Sequence, residues 1–190
     1  MTLPELTAAT TIAALTLGVS VPALGTALRS WKLDGAARDL ALEMQRTRME
    51  AVARGAYAGI LFQRDASGGH WRLYLDGGTR GIRSADIASG VDTPLGLTGE
   101  LAARYPGVRL GIEAPPPIPR VPPATGTLTS GDDPIAFSGS DIFSAAPTGE
   151  TSGGTIYLTD GRDMRAVVVF GPTGRIRVWR YDGEARRWAQ

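Results

Sequence analysis

Between Glu5 and Arg29 the chain runs for 23 residues, Leu6 to Leu28, without a charge. As a helix this stretch, rich in Ala, Thr, Leu and Val, is about 35 Å long, enough to cross the hydrocarbon core of a bilayer. A helix apolar on every side cannot be buried inside one small domain, so it must enter a membrane or pack among copies of itself. A cleavable secretory signal begins with positive charge and has a shorter apolar core, whereas Met1-Thr2-Leu3-Pro4-Glu5 carries an acid and neither Lys nor Arg. A plain membrane anchor fits the composition but gives no reason for a carboxylate at position five, which hydrocarbon tolerates only when it is paired. Pro22 removes a backbone hydrogen bond and crowds the preceding turn, so with Gly18 and Gly25 nearby a kink or local melting is expected there.

Beyond Arg29 the apolar pattern narrows to Leu33, Ala37, Leu40, Met44, Thr47 and Ala51, spaced four, three, four, three, four. That spacing is one face of a helix, and Asp34, Arg38, Asp39, Glu43, Arg46, Arg48 and Glu50 cover the remainder. Only Gly35 interrupts the run before Gly55, a natural C-terminal stop. The pattern predicts one helix of about 80 Å. It divides the chain into a hydrophobic filament-core or membrane segment over 1–28, an amphipathic continuation over 29–55, and a head over 56–190.

In the head the period shifts from 3.6 to 2. Strands are predicted at Tyr57–Phe62, Trp71–Leu75, Val108–Ile112, Ile135–Phe137 and Gly154–Thr159, with a turn at Asp65–Gly69. Met164–Phe170 and Arg175–Tyr181 flank Gly171-Pro172-Thr173-Gly174 and read as a hairpin. A short helical turn is expected at Gly99–Arg104. Six prolines between Ala114 and Pro123 predict an extended surface excursion. The 190 residues amount to about one ordinary domain.

Composition removes several classes of function. There is no Cys and a single His, which excludes thiol nucleophiles and disulfide frameworks and leaves no basis for Cys/His metal or haem sites. Twenty basic against 19 acidic residues give a net charge of +1, so the chain as a whole is no polyelectrolyte; Lys32 is its only lysine. His70 beside Trp71 reads as a surface or packing residue. Asp132-Asp133 and Asp160-Gly161-Arg162-Asp163 lack the ligand spacing of a calcium loop and read as turns. No phosphate-cradling glycine loop, nucleophile elbow or catalytic carboxylate pair stands out, so neither an enzyme nor a cofactor is expected.

The opening Met1-Thr2-Leu3-Pro4-Glu5-Leu6, the uncharged run, Pro22 and the amphipathic helix leading into a β-domain together resemble type IV pilin-like proteins, the type IV pilins and the pseudopilins of type II secretion. In that family a peptidase removes a leader ending in Gly, and Glu at position five of the mature chain is characteristic; Met1 then stands where Phe is commoner. Ile135-Ala136-Phe137 with Gly139, then Gly153 to Leu158, Arg165 to Val169 and Gly174-Arg175-Ile176-Arg177-Val178 look like the GspH/FimT group of minor pilins and pseudopilins. The resemblance covers about 100 residues and leaves Gly77–Asp133 outside it. It implies an α+β, pilin-like fold: a long N-terminal helix packed on an antiparallel β-sheet head.

What the resemblance implies for function is a structural subunit. It waits in the bacterial inner membrane and is then drawn into a periplasmic or extracellular helical filament, of this chain alone or mixed with other pilins or pseudopilins. A prepilin peptidase, an assembly platform and an ATPase are implied with it. No Lys or Arg precedes Arg29, so the nearest cation for a buried Glu5 is the Met1 amine of the same chain or of a neighbour. The family favours the neighbour; a solvated Glu5 at headgroup level, helped by the helix dipole, is the other reading.

Two further readings belong to other classes. Alternation along Arg175–Tyr181 puts Arg175, Arg177 and Trp179 on one face, where two guanidinium groups and an indole suit phosphates and a stacked base. The Gly-Arg-x-Arg pattern resembles that of pilin-like DNA-uptake subunits, and Arg162 and Arg165 are expected to add charge. An Arg-decorated edge strand is equally an ordinary guard against aggregation. The last reading is an anchored periplasmic domain that never polymerises.

Overall fold

The computed structural model describes residues 3–190 except Thr79, and for Leu3, residues 5–24 and Leu97 it describes the backbone alone. α1 (Leu3–Arg54) is 52 residues long, about 78 Å at 1.5 Å per residue. Its helical backbone continues through Pro22. Among the described residues no helix is long and apolar enough to cross a membrane, and the expectation that one does rests on side chains from Leu6 to Leu24, which lie outside them.

The head follows as β1 (Ala58–Gln63), β2 (His70–Leu75), α2 (Ser84–Ser89), β3 (Thr93–Glu100), α3 (Leu101–Arg104) and β4 (Arg109–Leu110). Then come β5 (Ile118–Pro119), β6 (Thr127–Leu128), β7 (Ile135–Phe137), β8 (Ile142–Ala145), β9 (Gly154–Thr159), β10 (Met164–Phe170), β11 (Arg175–Asp182) and β12 (Arg187–Ala189). One sheet has the order β3-β2-β1-β8 and a second the order β12-β11-β10-β9-β4, with β7 also pairing β9; β5 and β6 form a small ribbon. Every pairing is antiparallel. The architecture is α+β, a long helix laid across two antiparallel sheets in the manner of a pilin.

The helix joins the sheets because its stripe finds both. Leu33, Ala37, Leu40, Met44, Thr47 and Ala51 are all buried, with Ala36 beside them. They meet Ile60 and Phe62 of β1, Phe143 of β8, Ile156 and Leu158 of β9, and Val167 and Val169 of β10. Phe137 closes the seam between the sheets: it stacks on Phe62 from one (5.9 Å between centroids) and meets Phe143 edge-on (5.8 Å). Gly35, the one interruption of the stripe, admits the Tyr105 ring, which stands 2.9 Å from where a Cβ would lie.

The opposite face of the second sheet has its own core. Tyr157, Met164, Ala166, Val168 and Tyr181 pack with Ile112, Ile118, Val121, Leu128 and Trp188. This corrects the proline-rich surface excursion: Ile118 and Val121 are buried, and the segment lies as a flap over the sheet. The Trp188 Nε1 donates a 2.7 Å hydrogen bond to the Pro119 carbonyl and pins it. The expected strand at Val108–Ile112 is ladder-paired only at Arg109 and Leu110, because the chain turns at once into the flap.

Candidate assembly surface

Once α1 has given one face to the head, the opposite face is left bare. At 100° per residue Leu28, Trp31, Leu42 and Met49 gather on the side away from Leu33 and Leu40, with the exposed Val52 on the flank nearer the head. They are large and apolar, yet Trp31 is 72% exposed and Met49 70%. A single large apolar side chain on a surface is ordinary, but four along one helix face form a stripe that water wets at a cost. Beside its end lies a groove of about 650 Å³ lined by Gln45, Arg48, Met49, Val52, Thr148 and Gly174.

Two polar fastenings fix this helix relative to the sheets. Arg165, in the otherwise apolar strand β10, points under α1 and is completely buried. Its Nε donates to Asp34 Oδ1 at 2.5 Å, its Nη2 to the Ser30 hydroxyl at 3.1 Å, and its Nη1 to the Met164 carbonyl at 3.0 Å. Further along, Arg48 Nε donates to the Gly149 carbonyl at 2.7 Å. Gly174 ends the β10–β11 turn at φ 60°, and a Cβ there would lie 2.7 Å from the Arg48 Nε. Arg165 was expected to add surface charge, and that expectation is corrected: its charge is spent on the helix. The available signal was a lone Arg inside Met164-Arg165-Ala166-Val167-Val168-Val169-Phe170, since a cation in such a run needs a buried partner.

Of the sequence-predicted assembly residues, Met1 lies outside the described residues, as do the side chains of Glu5 and Pro22. On β11, Ile176 and Val178 turn to the helix-facing core and Trp179 to the outer one. Trp179 leans on that core with its Nε1 buried and unpaired, so its ring is already used in packing. Arg177 donates to the Gln190 side chain. Arg175 is exposed, as are Arg162, Arg180, Arg186 and Arg187.

The remaining polar clusters serve their own loops. His70 bridges Asp65 through Nδ1 (2.6 Å) and Gln63 through Nε2 (2.9 Å), closing the β1–β2 hairpin. Asp65 is held down to about 2 by the Ser67 hydroxyl and then by His70, against the opposing effect of desolvation. Asp132 accepts from the Thr129 N–H, Asp133 from that of Ile135, and Asp160 from those of Arg162 and Asp163. These carboxylates cap turns. Asp92, buried without a cation, accepts the N–H groups of Gly77 and Arg83 and ties the ends of the 77–92 loop together.

Comparison with known proteins points to one family. The family model for type II transport protein GspH matches residues 36–174. The match starts on the buried stripe of α1, runs through Gly77–Asp133, which the sequence resemblance had left out, and stops one residue before Arg175. No curated protein and no solved structure matches the chain.

Proposed function

Because this chain belongs to the GspH family of type II transport proteins and is a structural subunit of the pilin and pseudopilin class, we propose that it builds the pseudopilus of a type II secretion system. In this reading the uncharged run Leu6–Leu28 holds the subunit in the inner membrane until an assembly platform lifts it into a periplasmic filament with other pseudopilins. Leaving lipid for protein gains little hydrophobic energy, as both are apolar, so packing, pairing and an external motor must supply the bias. Glu5 meets the N-terminal amine of the adjacent subunit, which neutralises it and sets the axial register.

The observation that supports the reading is the bare helix face carrying Leu28, Trp31, Leu42 and Met49. A monomer has no use for large apolar residues opposite its own core, whereas a helix that will be surrounded by others does. The test is incorporation into filaments released from the periplasm of producing cells and imaged by electron microscopy. Leu42→Glu with Met49→Glu is expected to leave the head folded and abolish incorporation, and Glu5→Ala to abolish it independently. Unchanged filaments in both variants would overturn the proposal.

The exposed Arg175, Arg180, Arg186 and Arg187 favour a second reading, a minor subunit that binds DNA along its C-terminal edge. It requires salt-dependent retardation of DNA, lost when Arg175, Arg180, Arg186 and Arg187 are all changed to Ala; an unchanged shift in that variant removes it.

A further inference from the structure

Where α1 leaves the head, the helix and the head enclose a notch of about 390 Å³ lined by Arg29, Lys32, Pro106, Gly107, Val108 and Asp160. Arg29 and Lys32 are the first cations after the uncharged run, one helical turn apart, and both are exposed. Neither forms a salt bridge among the described residues. The acids beside them are engaged elsewhere: Asp34 holds Arg165, and Asp160 caps the 160–163 turn through two backbone N–H groups. The notch therefore holds two cations against the one carboxylate of Asp160, whose backbone hydrogen bonds do not remove its charge, and so keeps a net positive charge of one.

Its height relative to a bilayer follows from length. The 23 uncharged residues span about 35 Å as a helix against a hydrocarbon core of about 30 Å, so Leu28 stands at the core boundary. Leu28 to Lys32 then occupies about 6 Å of the headgroup layer. Trp31, exposed on the side of the helix away from the head, has the amphipathic ring that such a layer favours. At this level the abundant anion is the lipid phosphodiester, which Lys and Arg grip as charge-assisted hydrogen-bond donors.

We propose that the notch between Arg29, Lys32 and the Pro106–Val108 loop binds the headgroup of an anionic phospholipid and seats the head on the membrane before assembly. The inference rests on the membrane-held state of the proposed function. Extraction would then have to break this contact, which makes it a hold that delays release of the subunit.

The test uses the full chain in two kinds of vesicle, phosphatidylcholine alone and phosphatidylcholine with phosphatidylglycerol. Flotation reports whether the uncharged run inserts, and native mass spectrometry of protein released from the mixed vesicles counts retained phosphatidylglycerol. Retention of phosphatidylglycerol over phosphatidylcholine is expected, weakened about fivefold by each of Arg29→Gln and Lys32→Gln. Arg29→Lys with Lys32→Arg should restore it. Equal flotation with no lipid preference, or a preference that both neutral variants keep, overturns the lipid site and leaves membrane insertion standing. Failure to float with either vesicle overturns insertion and the lipid site together. Displacement of the bound lipid by millimolar inorganic phosphate makes the notch a free-phosphate site and overturns the proposal.

Discussion

A guanidinium sealed under a helix is stable only while its carboxylate stays in place. Asp34→Ala leaves Arg165 charged, buried and short of its partner, and is expected to cost about 3 kcal/mol in urea denaturation. Adding Arg165→Met removes the stranded charge, so the double variant should be more stable than Asp34→Ala alone. Asp65 behaves differently because it is exposed. Its carboxyl lies at about 2 in the fold against 3.8 ordinarily, so its contribution is fully present above about pH 4 and is lost as the pH falls toward 2. The protection of amides in the 65–70 hairpin, relative to their intrinsic exchange at each pH, should therefore fall over that window, and Asp65→Asn should leave it low at neutral pH with no further loss on acidification. Gly174 occupies the left-handed region beside Arg48, so Gly174→Ala is expected to cost about 2 kcal/mol, visible as a lowered thermal midpoint.

At the scale of elements, the helix face could be read from the chain because its signal is local. Leu33, Leu40 and Met44 announce themselves by spacing alone, and Met44→Ala is expected to cost about 3 kcal/mol in urea denaturation through the cavity it leaves among β-strand side chains. The hairpin from Met164 to Tyr181 is equally plain, since both strands and their turn are contiguous. β3 is hidden for a physical reason. Pro94, Gly96 and Gly99 break its alternation, and Gly99 is required because the Trp71 indole occupies the position a Cβ would take. β8 has four residues with little alternation in burial and gains its place from pairing with β1, which no local pattern encodes. The flap escapes a sequence reading because six prolines describe a backbone without saying what Ile118 and Val121 between them will touch. Of the surfaces, the bare stripe is present in the sequence but can be separated from the core stripe only once the head has claimed one side of the helix.

Over the whole molecule, the second sheet is a partition between two cores, one shared with α1 and one closed by the flap. The inner core carries the helix, while the outer core is held by a short segment and the Trp188–Pro119 hydrogen bond. Ile118→Asp should therefore free the flap to limited proteolysis between 114 and 128 while leaving the helix-facing core protected from exchange, whereas Leu40→Asp should unfold the head entirely. The two fastenings of α1, at Asp34 and at Arg48, are 14 residues apart, about 21 Å along the helix axis. A thrust delivered along that axis loads both fastenings together with all the side chains wedged between them, in shear. A sideways pull at either end opens them one at a time, as a peel. The head is thus mounted to bear load along the helix axis and to yield to load across it.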